Sequence, residues 1–310
     1  MKAVQIHTYG GVNKLEIVDI EKPKPGKGQV LLQVYASSIN PFDIVMREGY
    51  VQKMIPSLPV TLGSDVAGVV VKVGEGVDHL HVGEKVYGQA IVLAGGSGAF
   101  AEFAVTPVTS IAKMPENIGF NEAAAVVLTG VSAVQAICEH FNLQSGQKIL
   151  IHGGAGGIGT IAIQMAKLIG AYVATTATGE GIDYVKKLGA DMVIDYKSQE
   201  FDQLIFNYDA VFDTVGGQTY EKSFKVLKKD GIIVSMLAKP DKNVMEQYGV
   251  IAIAQATKVT TEHLDMLRNF ITVENVTVHV DKVFPLDKIK KAFKAKETGD
   301  IKGKIAIEIK

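Results

Sequence analysis

The sequence predicts an α/β protein that combines a doubly wound parallel sheet with a second, β-rich domain. Three observations support this fold class. A glycine-rich turn follows a short apolar strand in KILIHGGAGGIG (148–159), apolar runs and helix-like spacers alternate after it, and short β-rich runs punctuated by glycine and proline precede it. Alternating strands and helices are typical of a parallel sheet with helices on both faces.

The first part of the chain predicts a compact, barrel-like β domain. Its apolar runs QVLLQVYA (29–36) and DVAGVVVKVG (65–74) are bounded by turn residues, which is the pattern of short strands in a barrel. Helices are expected only at 42–48 and 121–127 in this part, and a connecting helix is expected at 131–141.

The glycine-rich turn is the candidate nucleotide site. A G-x-G-x-x-G pattern lies between a strand at 149–151 and a predicted amphipathic helix that stops at Gly170. Glycine lets the backbone approach a ligand, and the N–H groups at a helix start attract phosphate, so a dinucleotide is the expected ligand. The residues predicted to hold its pyrophosphate are Gly154, Ala155, Gly156, Gly157, Ile158 and Gly159.

The end of the second strand of this sheet indicates which dinucleotide binds. About twenty residues past the first glycine, NAD enzymes place a carboxylate on the ribose 2′-hydroxyl. Here the chain reads ATTAT, and threonine hydroxyls, including those of Thr175 and Thr176, are available to a 2′-phosphate, so NADPH is favoured over NADH. The alternatives are that these threonines only reflect β-propensity and that Glu180 approaches the ribose.

Length and composition predict two domains. The chain has 310 residues, of which 47% are hydrophobic, enough for two domains of ordinary size. We predict a first domain at 1–120 and a nucleotide-binding domain at 121–265. The last run, KGKIAIEIK, alternates like a strand, so residues 266–310 are expected to return to the first domain and leave a cleft between the two.

Charge, cysteine content and hydropathy exclude several classes of partner. A net charge of −1, from 32 basic and 33 acidic residues spread along the chain, gives no basic patch for nucleic acid. The single cysteine, Cys138, excludes internal disulfides and fits a reducing compartment. The apolar stretch 123–138 falls short of the roughly 18 uninterrupted residues that suggest a membrane span, and no secretory signal is visible. A cytoplasmic protein without membrane contact is expected.

Eight segments distributed along the chain carry a family resemblance. They are SSINPFDIVMREG (37–49), LGSDVAGVVVKVGEGV (62–77), VGEKVYG (82–88), LTGVSAVQAI (128–137), HGGAGGIGTIAIQMAK (152–167), LGADMVIDY (188–196), FDTVGG (212–217) and KGKIAI (302–307). Together they resemble the medium-chain dehydrogenase/reductase superfamily, specifically its zinc-less quinone oxidoreductase and alkenal (enone) reductase branch. The resemblance implies a GroES-like catalytic domain, a Rossmann domain, NADPH as hydride donor and a homodimer. The apolar run at 249–256 is either an edge strand for that dimer or an ordinary core strand.

The resemblance also predicts that the protein works without zinc. The positions of the catalytic zinc ligands in zinc-dependent relatives look like Asn40 and the segment 63–65 (Gly-Ser-Asp), and neither Asn nor Ser replaces a thiolate or an imidazole. The cysteines of a structural zinc lobe are absent, and His79 and His81 have no third ligand near them in the sequence.

These observations favour reduction of a conjugated acceptor. Without a Lewis acid, oxidation of simple alcohols loses its alkoxide stabilisation, whereas hydride addition to a quinone or an α,β-unsaturated carbonyl places charge on an oxygen that hydrogen-bond donors stabilise. The predicted function is an NADPH-dependent, zinc-independent oxidoreductase of such small molecules. The alternative is a non-catalytic, NADPH-binding structural or adapter protein.

Two residues are predicted to act at the reacting atoms. Asn40 is the leading candidate for the donor to the developing oxyanion, the alternative is that it caps the helix beginning near Pro41, and the two roles are compatible. Tyr50 is expected either to donate a hydrogen bond or to form a wall of the pocket. The family tyrosine near Val45 is missing, so solvent or the coenzyme ribose is expected to supply the proton.

The remaining candidates are coenzyme contacts implied by the resemblance. Thr129 resembles the residue that contacts the nicotinamide carboxamide, with a helix N-cap as the alternative. Tyr196 resembles a tyrosine beside the 2′-phosphate. Val215 and Leu237 stand at strand ends, where doubly wound sheets bind ligands. Lys304 resembles a C-terminal basic residue that reaches the coenzyme, although composition alone makes it a surface lysine.

Overall fold

The computed structural model describes residues 1–55, 57–299 and 301–310, and the chain forms two compact units. The first unit consists of residues 1–128, 259–273 and 278–310, and the second consists of residues 129–258 and 274–277.

The regular elements are numbered in chain order. The strands are β1 (Lys2–Ile6), β2 (Glu16–Asp19), β3 (Gln29–Ser38), β4 (Val60–Thr61), β5 (Asp65–Val73), β6 (Lys85–Gln89), β7 (Phe103–Pro107), β8 (Ile111–Lys113), β9 (Lys148–Ile151), β10 (Tyr172–Ala177), β11 (Met192–Asp195), β12 (Tyr208–Asp213), β13 (Leu227–Ser235), β14 (Ile251–Ala254), β15 (Val280–Pro285) and β16 (Lys304–Glu308). The helices are α1 (Pro41–Glu48), α2 (Phe120–Val134), α3 (Gly157–Ile169), α4 (Glu180–Lys187), α5 (Gly217–Ser223), α6 (Lys242–Tyr248), α7 (Thr261–Thr272) and α8 (Ile289–Glu297).

The first unit is built on β3, which pairs with three other strands. Its sheet has the order β15-β16-β3-β5-β6-β8, with β7 also paired to β3, and a smaller sheet has the order β2-β1-β4. At the end of β3, Ser38 lies opposite Asp65 of β5 and opposite Ala306 of β16. The C-terminal strand therefore joins this unit, as the sequence predicted, and the pairing brings together residues far apart in the chain.

The second unit contains the predicted doubly wound sheet. Its strands have the order β11-β10-β9-β12-β13-β14, and every pairing is parallel. Strands β9, β10 and β11 extend in one direction and β12, β13 and β14 in the other, so the topological switch point lies between β9 and β12. This arrangement confirms the predicted fold class and puts the glycine-rich turn, which follows β9, where such sheets bind ligands.

The helices differ from the sequence expectation mainly at the boundary between the units. The separate helices expected at 121–127 and 131–141 form one continuous stretch, because α2 runs directly into a π-helical segment at Gln135–His140. In length and composition this stretch of 21 residues resembles a membrane span, with a mean hydropathy of 1.4, but 78% of the tested window is buried in the structure, as in a core helix.

Helix α7 also changes the expected boundary near residue 265. It belongs to the first unit, whereas the sequence analysis assigned its first residues to the nucleotide-binding domain. Two hydrogen bonds explain its place. The Thr261 hydroxyl donates to the carbonyl of Ile111 at 2.9 Å, and the Tyr87 hydroxyl donates to the carbonyl of Leu264 at 2.5 Å.

Candidate active site

The glycine-rich turn leaves a helix N-terminus without a side-chain cap. Helix α3 begins at Gly157, and its N-cap is Gly156 in an extended conformation (φ −80°, ψ 172°) that has no side chain to accept from the first-turn N–H groups. Such N–H groups, at the positive end of a helix dipole, are suited to bind an anion.

Close packing explains why the turn consists of glycine. A Cβ atom on Gly154 would lie 2.0 Å from the Thr175 hydroxyl oxygen, and one on Gly159 would lie 2.4 Å from the carbonyl oxygen of Gly153. A Cβ atom on Gly156 would meet only that carbonyl, at 3.2 Å, so the space beside Gly156 is otherwise open. The turn therefore leaves room beside the uncapped start of α3, which suits a dinucleotide pyrophosphate.

The threonines that were predicted to contact the 2′-phosphate are used inside the fold. Thr175 is fully buried and its hydroxyl donates to the carbonyl of Ile151 at 2.7 Å. The buried hydroxyl of Thr176 accepts the N–H of Gly153 at 3.1 Å. The Thr176 hydroxyl thus holds the turn against β10, and the Thr175 hydroxyl joins β10 to the end of β9. Both hydroxyls are engaged within the fold, which argues against direct donation to a 2′-phosphate.

His152 supports the glycine-rich turn through Thr176, whose hydroxyl contacts both the His152 ring and the Gly153 N–H. It was not among the predicted site residues. Its Nε2 lies 3.0 Å from the Ser223 hydroxyl, which donates to the carbonyl of Thr219, and its Nδ1 lies 3.2 Å from the Thr176 hydroxyl. Ser223 must therefore accept from Nε2–H, and Nδ1 accepts from Thr176, which fixes the tautomer. Burial lowers the pKa of His152 to about 4, so the ring is neutral.

Two polar residues at the carboxyl ends of β12 and β13, Asp213 and Ser235, position the backbone of the predicted coenzyme contacts Val215 and Leu237. The Asp213 carboxylate accepts the N–H groups of Val215 and Gly216 at 3.0 and 2.9 Å, and the Ser235 hydroxyl at 2.6 Å. Ser235 in turn accepts the N–H of Leu237 at 3.1 Å. Val215 and Leu237 remain 48% and 67% exposed, so both are accessible to a ligand at the carboxyl ends of β12 and β13. The Asx-turn spacing in DTVGG is the signal from which Asp213 was predictable.

The region around Tyr196 contains a carboxylate that was not among the predicted site residues. Tyr196 is 57% exposed and follows Asp195, which lies opposite Ala177 at the end of β10. Hydrogen bonds from the Lys197 N–H and the Thr178 hydroxyl lower the pKa of Asp195, so this group is ionised. Its charge opposes a 2′-phosphate, and the preference for NADPH remains a prediction.

Thr129 lies inside a helix rather than at its start. Helix α2 runs through this position, and the Thr129 side chain is buried. The alternative explanation, that Thr129 is an N-cap, is therefore wrong. Contact with a nicotinamide carboxamide stays a prediction.

The second candidate region is a group of buried polar side chains in the first unit, here named the polar cluster. Its members are Ser38, Asn40, Asp43, Ser64, Asp65 and Lys304, all buried. They include Asn40 and Ser64, which the family resemblance matches to the zinc-ligand positions of zinc-dependent relatives. In residues 1–55, 57–299 and 301–310, no group of three or more His, Cys, Asp or Glu residues is arranged to hold a metal ion.

Asn40 occupies the N-cap position of α1, as the alternative predicted, and its side chain also has partners in the polar cluster. Asp43 forms a capping box with it, because the Asp43 carboxylate accepts the Asn40 backbone N–H at 2.7 Å. The Asn40 side chain donates from Nδ2 to Asp65 Oδ2 at 2.7 Å and accepts at Oδ1 from Lys304 Nζ at 2.5 Å. Its carboxamide is thus a central member of the polar cluster.

Lys304 is not the surface lysine that composition suggested. Its side chain is buried, and its ammonium donates to Asn40 Oδ1 and to the carbonyl of Ile39 at 3.0 Å, and lies 3.7 Å from Asp65 Oδ2. The ammonium therefore makes two hydrogen bonds and one ion pair. The arrangement argues against the prediction that Lys304 reaches the coenzyme.

Burial perturbs the ionisable groups of the polar cluster. Burial, together with the nearby charge of Asp65, raises the pKa of Asp43 to about 7. Burial also raises the pKa of Asp65, although the Lys304 ammonium opposes this shift, and lowers the pKa of Lys304 to about 8. Perturbed groups of this kind concentrate at functional sites.

Tyr50 lies outside the polar cluster. It follows Gly49, which ends α1 in the left-handed conformation, and its side chain is 77% exposed. Its predicted roles as a donor or as a pocket wall stay predictions.

Comparisons with known proteins agree with this organisation. A model of the alcohol dehydrogenase GroES-like domain matches residues 26–116, and a model named zinc-binding dehydrogenase matches residues 188–307. A chloroplast envelope quinone oxidoreductase homolog of Arabidopsis thaliana is 34% identical over 99% of this chain and 98% of its own length. An NADPH-dependent alkenal/one oxidoreductase of the same plant is also 34% identical, over 99% of this chain and 79% of its own length.

Solved structures show the same relationship. The quinone oxidoreductase of Coxiella burnetii superposes with a TM-score of 0.92 at 32% identity, covering 100% of this chain and 99% of its own. The Escherichia coli quinone oxidoreductase, solved in complex with NADPH, superposes with a TM-score of 0.90 at 26% identity, covering 100% of both chains. The chain therefore belongs to the medium-chain dehydrogenase/reductase superfamily, in its zinc-less branch of quinone oxidoreductases and alkenal reductases, as the sequence predicted.

Proposed function

We propose that this protein is an NADPH-dependent oxidoreductase that reduces quinones or α,β-unsaturated carbonyls by hydride transfer without a metal ion. The observation that carries the proposal is the glycine-rich turn, whose uncapped helix start and open space beside Gly156 suit a pyrophosphate. The names of the relatives support the same reaction class.

Residues of the second unit would hold the coenzyme. The turn at 154–159 would bind the pyrophosphate, the exposed side chains of Val215 and Leu237 would cover apolar ring surface, and Tyr196 would pack near the adenosine. Bound NADPH supplies the hydride. The protein contributes position and the exclusion of water.

The polar cluster contains the group that we assign to the acceptor oxygen. As a conjugated acceptor is reduced, negative charge collects on its oxygen, and a fixed donor at that oxygen lowers the barrier. We assign this role to the Asn40 amide. Asn40 and Ser64, at the zinc-ligand positions, offer an amide and a hydroxyl rather than imidazole or thiolate, which suits hydrogen bonding better than zinc binding.

A substrate screen tests the proposal. Purified protein is incubated with quinones, enals and enones, with NADPH and NADH in parallel, and coenzyme oxidation is followed by absorbance. Turnover with at least one acceptor class, faster with NADPH and insensitive to metal chelators, is the expected result. Tight NADPH binding without oxidation across the whole panel would instead support the non-catalytic structural or adapter protein.

An Asn40→Ala variant tests the assignment of the donor. We expect kcat to fall about 100-fold, the usual cost of removing one oxyanion donor, while the dissociation constant of NADPH stays unchanged. Asn13→Ala, on the surface of the same unit, is the matched control and should retain full activity. Equal losses of kcat and coenzyme affinity in Asn40→Ala would contradict the role.

We also propose that the protein is a homodimer joined through β14. This strand forms one edge of the parallel sheet, and Ile251 on it is 47% exposed. Exposed sheet edges are ready to pair with another chain. Light scattering should find a dimer that Ile251→Lys converts to a monomer. Val283→Lys on β15, an edge strand of the other unit with an equally exposed (47%) valine, is the control and should leave the dimer intact.

A further inference from the structure

The Asn40 carboxamide is held between a cation and an anion. Its Oδ1 accepts from the Lys304 ammonium at 2.5 Å, and its Nδ2 donates to the Asp65 carboxylate at 2.7 Å. The same ammonium lies 3.7 Å from Asp65, so the three groups form a closed triangle in the buried polar cluster.

This triangle permits only one orientation of the amide. An ammonium can only donate, and an ionised carboxylate can only accept. Rotating the Asn40 amide by half a turn would place its NH₂ group against the ammonium of Lys304 and its oxygen against the carboxylate of Asp65. Both contacts would then be repulsive, so the two charges fix the amide plane and the direction of its N–H groups.

Backbone geometry brings the three residues together. Asn40 follows the end of β3, Asp65 begins β5, and Lys304 begins β16, and β3 pairs with both other strands. Gly303, just before Lys304, has a φ of +68°, and a Cβ atom there would lie 2.4 Å from the carbonyl oxygen of His279. The chain therefore enters β16 through a turn that only glycine accommodates, and Lys304 enters the cluster directly after it.

We propose that Lys304 and Asp65 are positioning residues for Asn40. Together they hold the carboxamide so that its second Nδ2–H is the hydrogen available to the oxygen of the acceptor. The inference rests on the proposed function, because that oxygen belongs to the proposed substrate. It replaces the coenzyme contact implied for Lys304 by the family resemblance.

The cation also strengthens the donor that it positions. The positive charge of Lys304, next to the Asn40 amide oxygen, withdraws electron density from the amide nitrogen. Polarised hydrogen bonds of this kind reinforce one another in a low-dielectric interior. A buried ion pair is weak evidence for a purely stabilising role, because apolar residues of similar volume often serve stability as well or better. A positioning role explains why charged groups occupy this place.

A double-mutant cycle tests the proposal. The variants are Asn40→Ala, Lys304→Met and the combination of both, and kcat, the dissociation constant of NADPH and the melting temperature are measured for each. We expect Lys304→Met to lower kcat about 10- to 100-fold and to change NADPH affinity less than about 3-fold. The combined variant should be no slower than Asn40→Ala alone, because residues that act as a unit are not additive.

Matched variants separate positioning from stability. Arg47→Met removes another fully buried cation of the first unit, one paired with Glu48 and Glu297, and should lower the melting temperature with little change in kcat. If Lys304→Met fails to fold, Asp65→Asn removes the anionic side of the triangle with the same shape and should lower kcat in the same way. The proposal would be overturned if the fold-loss of kcat in the combined variant equalled the product of the losses in Asn40→Ala and Lys304→Met. A rise of the NADPH dissociation constant above about 10-fold with kcat retained would overturn it too.

A measurement without coenzyme distinguishes failure of this proposal from failure of the proposed function. In apoprotein labelled with ¹⁵N-asparagine, the two Nδ2 protons of Asn40, assigned by their loss in Asn40→Ala, should be widely separated and slow to exchange. Lys304→Met should collapse that separation, and Arg47→Met should not. Unchanged resonances in Lys304→Met would refute the positioning role, whereas a lack of turnover in the wild-type protein would refute only the proposed function.

Discussion

The glycine-rich turn and the polar cluster achieve a fixed geometry in opposite ways. The turn consists largely of glycines, which have no side chains. The buried His152 that supports it is neutral, since its pKa is lowered to about 4. The polar cluster consists of buried side chains that carry charge and come from three separate parts of the sequence. The turn should therefore be sensitive to added volume, and the cluster to a change of charge.

The largest expected effect is a side chain added to the turn. In Gly154→Val the new Cβ atom would lie 2.0 Å from the fully buried Thr175 hydroxyl, so the turn must shift. We expect the dissociation constant of NADPH, measured by calorimetry, to rise at least about 100-fold, and the free energy of unfolding to fall by about 3 kcal/mol.

Two further variants sharpen this test of the turn. Gly154→Ala combined with Thr175→Ala removes the clash and should recover part of the coenzyme affinity. Gly11→Ala, where the new Cβ atom would make only an ordinary contact of 3.6 Å with Asn13, should behave as wild type. Full coenzyme affinity in Gly154→Val would show that the turn is not the pyrophosphate site.

The same contrast explains what the sequence revealed. The turn was predictable because its glycines, the strand before them and the helix after them are contiguous in the chain. The Asn40 to Lys304 hydrogen bond joins residues 264 positions apart. Both residues were singled out, but their contact depends on the register of β16 against β3, which no local pattern encodes. The family resemblance alone assigned Lys304 to the coenzyme.

The partners of the β10 hydroxyl groups could not be predicted for a different reason. Thr175 and Thr176 lie on opposite faces of a strand that is buried on both sides, so alternation does not tell which face meets a ligand. Their donors and acceptors are His152 and backbone groups of the turn and of β9, and these partners became visible only with the sheet order.

The second largest effect is expected from removing one charge of the polar cluster. Asp65→Ala leaves the buried Lys304 ammonium without its anion, which should lower the free energy of unfolding by about 3–5 kcal/mol. Urea denaturation measures the loss. Lys167→Met, which breaks a partly exposed pair with Asp191, is the control and should cost no more than about 1 kcal/mol. Equal losses of unfolding free energy in Asp65→Ala and Lys167→Met would mean that an unpaired charge costs no more in the polar cluster than at the protein surface.

The third prediction concerns the dependence of stability on pH in the first unit. The pKa of Asp43 is raised to about 7 in the folded protein, above its ordinary value of 3.8 in the unfolded chain. The folded state therefore binds the proton more tightly between these values, and this stabilisation, at most about 4 kcal/mol, is lost as the pH rises from 4 to 7. Asp43→Asn, which stays neutral, should remove that loss in urea titrations. Asp78→Asn, whose side chain is 96% exposed, should keep the wild-type slope.

The smallest effect is expected in the second unit and has the opposite sign. The pKa of His152 falls from an ordinary 6.5 to about 4 in the folded protein, so the unfolded chain binds the proton more tightly between these values. Stability is then complete above pH 6.5 and declines, by about 3 kcal/mol, as the pH falls toward 4. His152→Gln keeps a donor and an acceptor for Ser223 and Thr176 but does not titrate, so its unfolding free energy should depend less on pH between 6.5 and 4. His79→Gln, at a half-exposed histidine, should leave that slope as in wild type. If the unfolding free energy of His152→Gln depended on pH between 6.5 and 4 as strongly as that of the wild type, the neutral state assigned to His152 would be wrong. The electrostatic contrast between the turn and the polar cluster would then not hold.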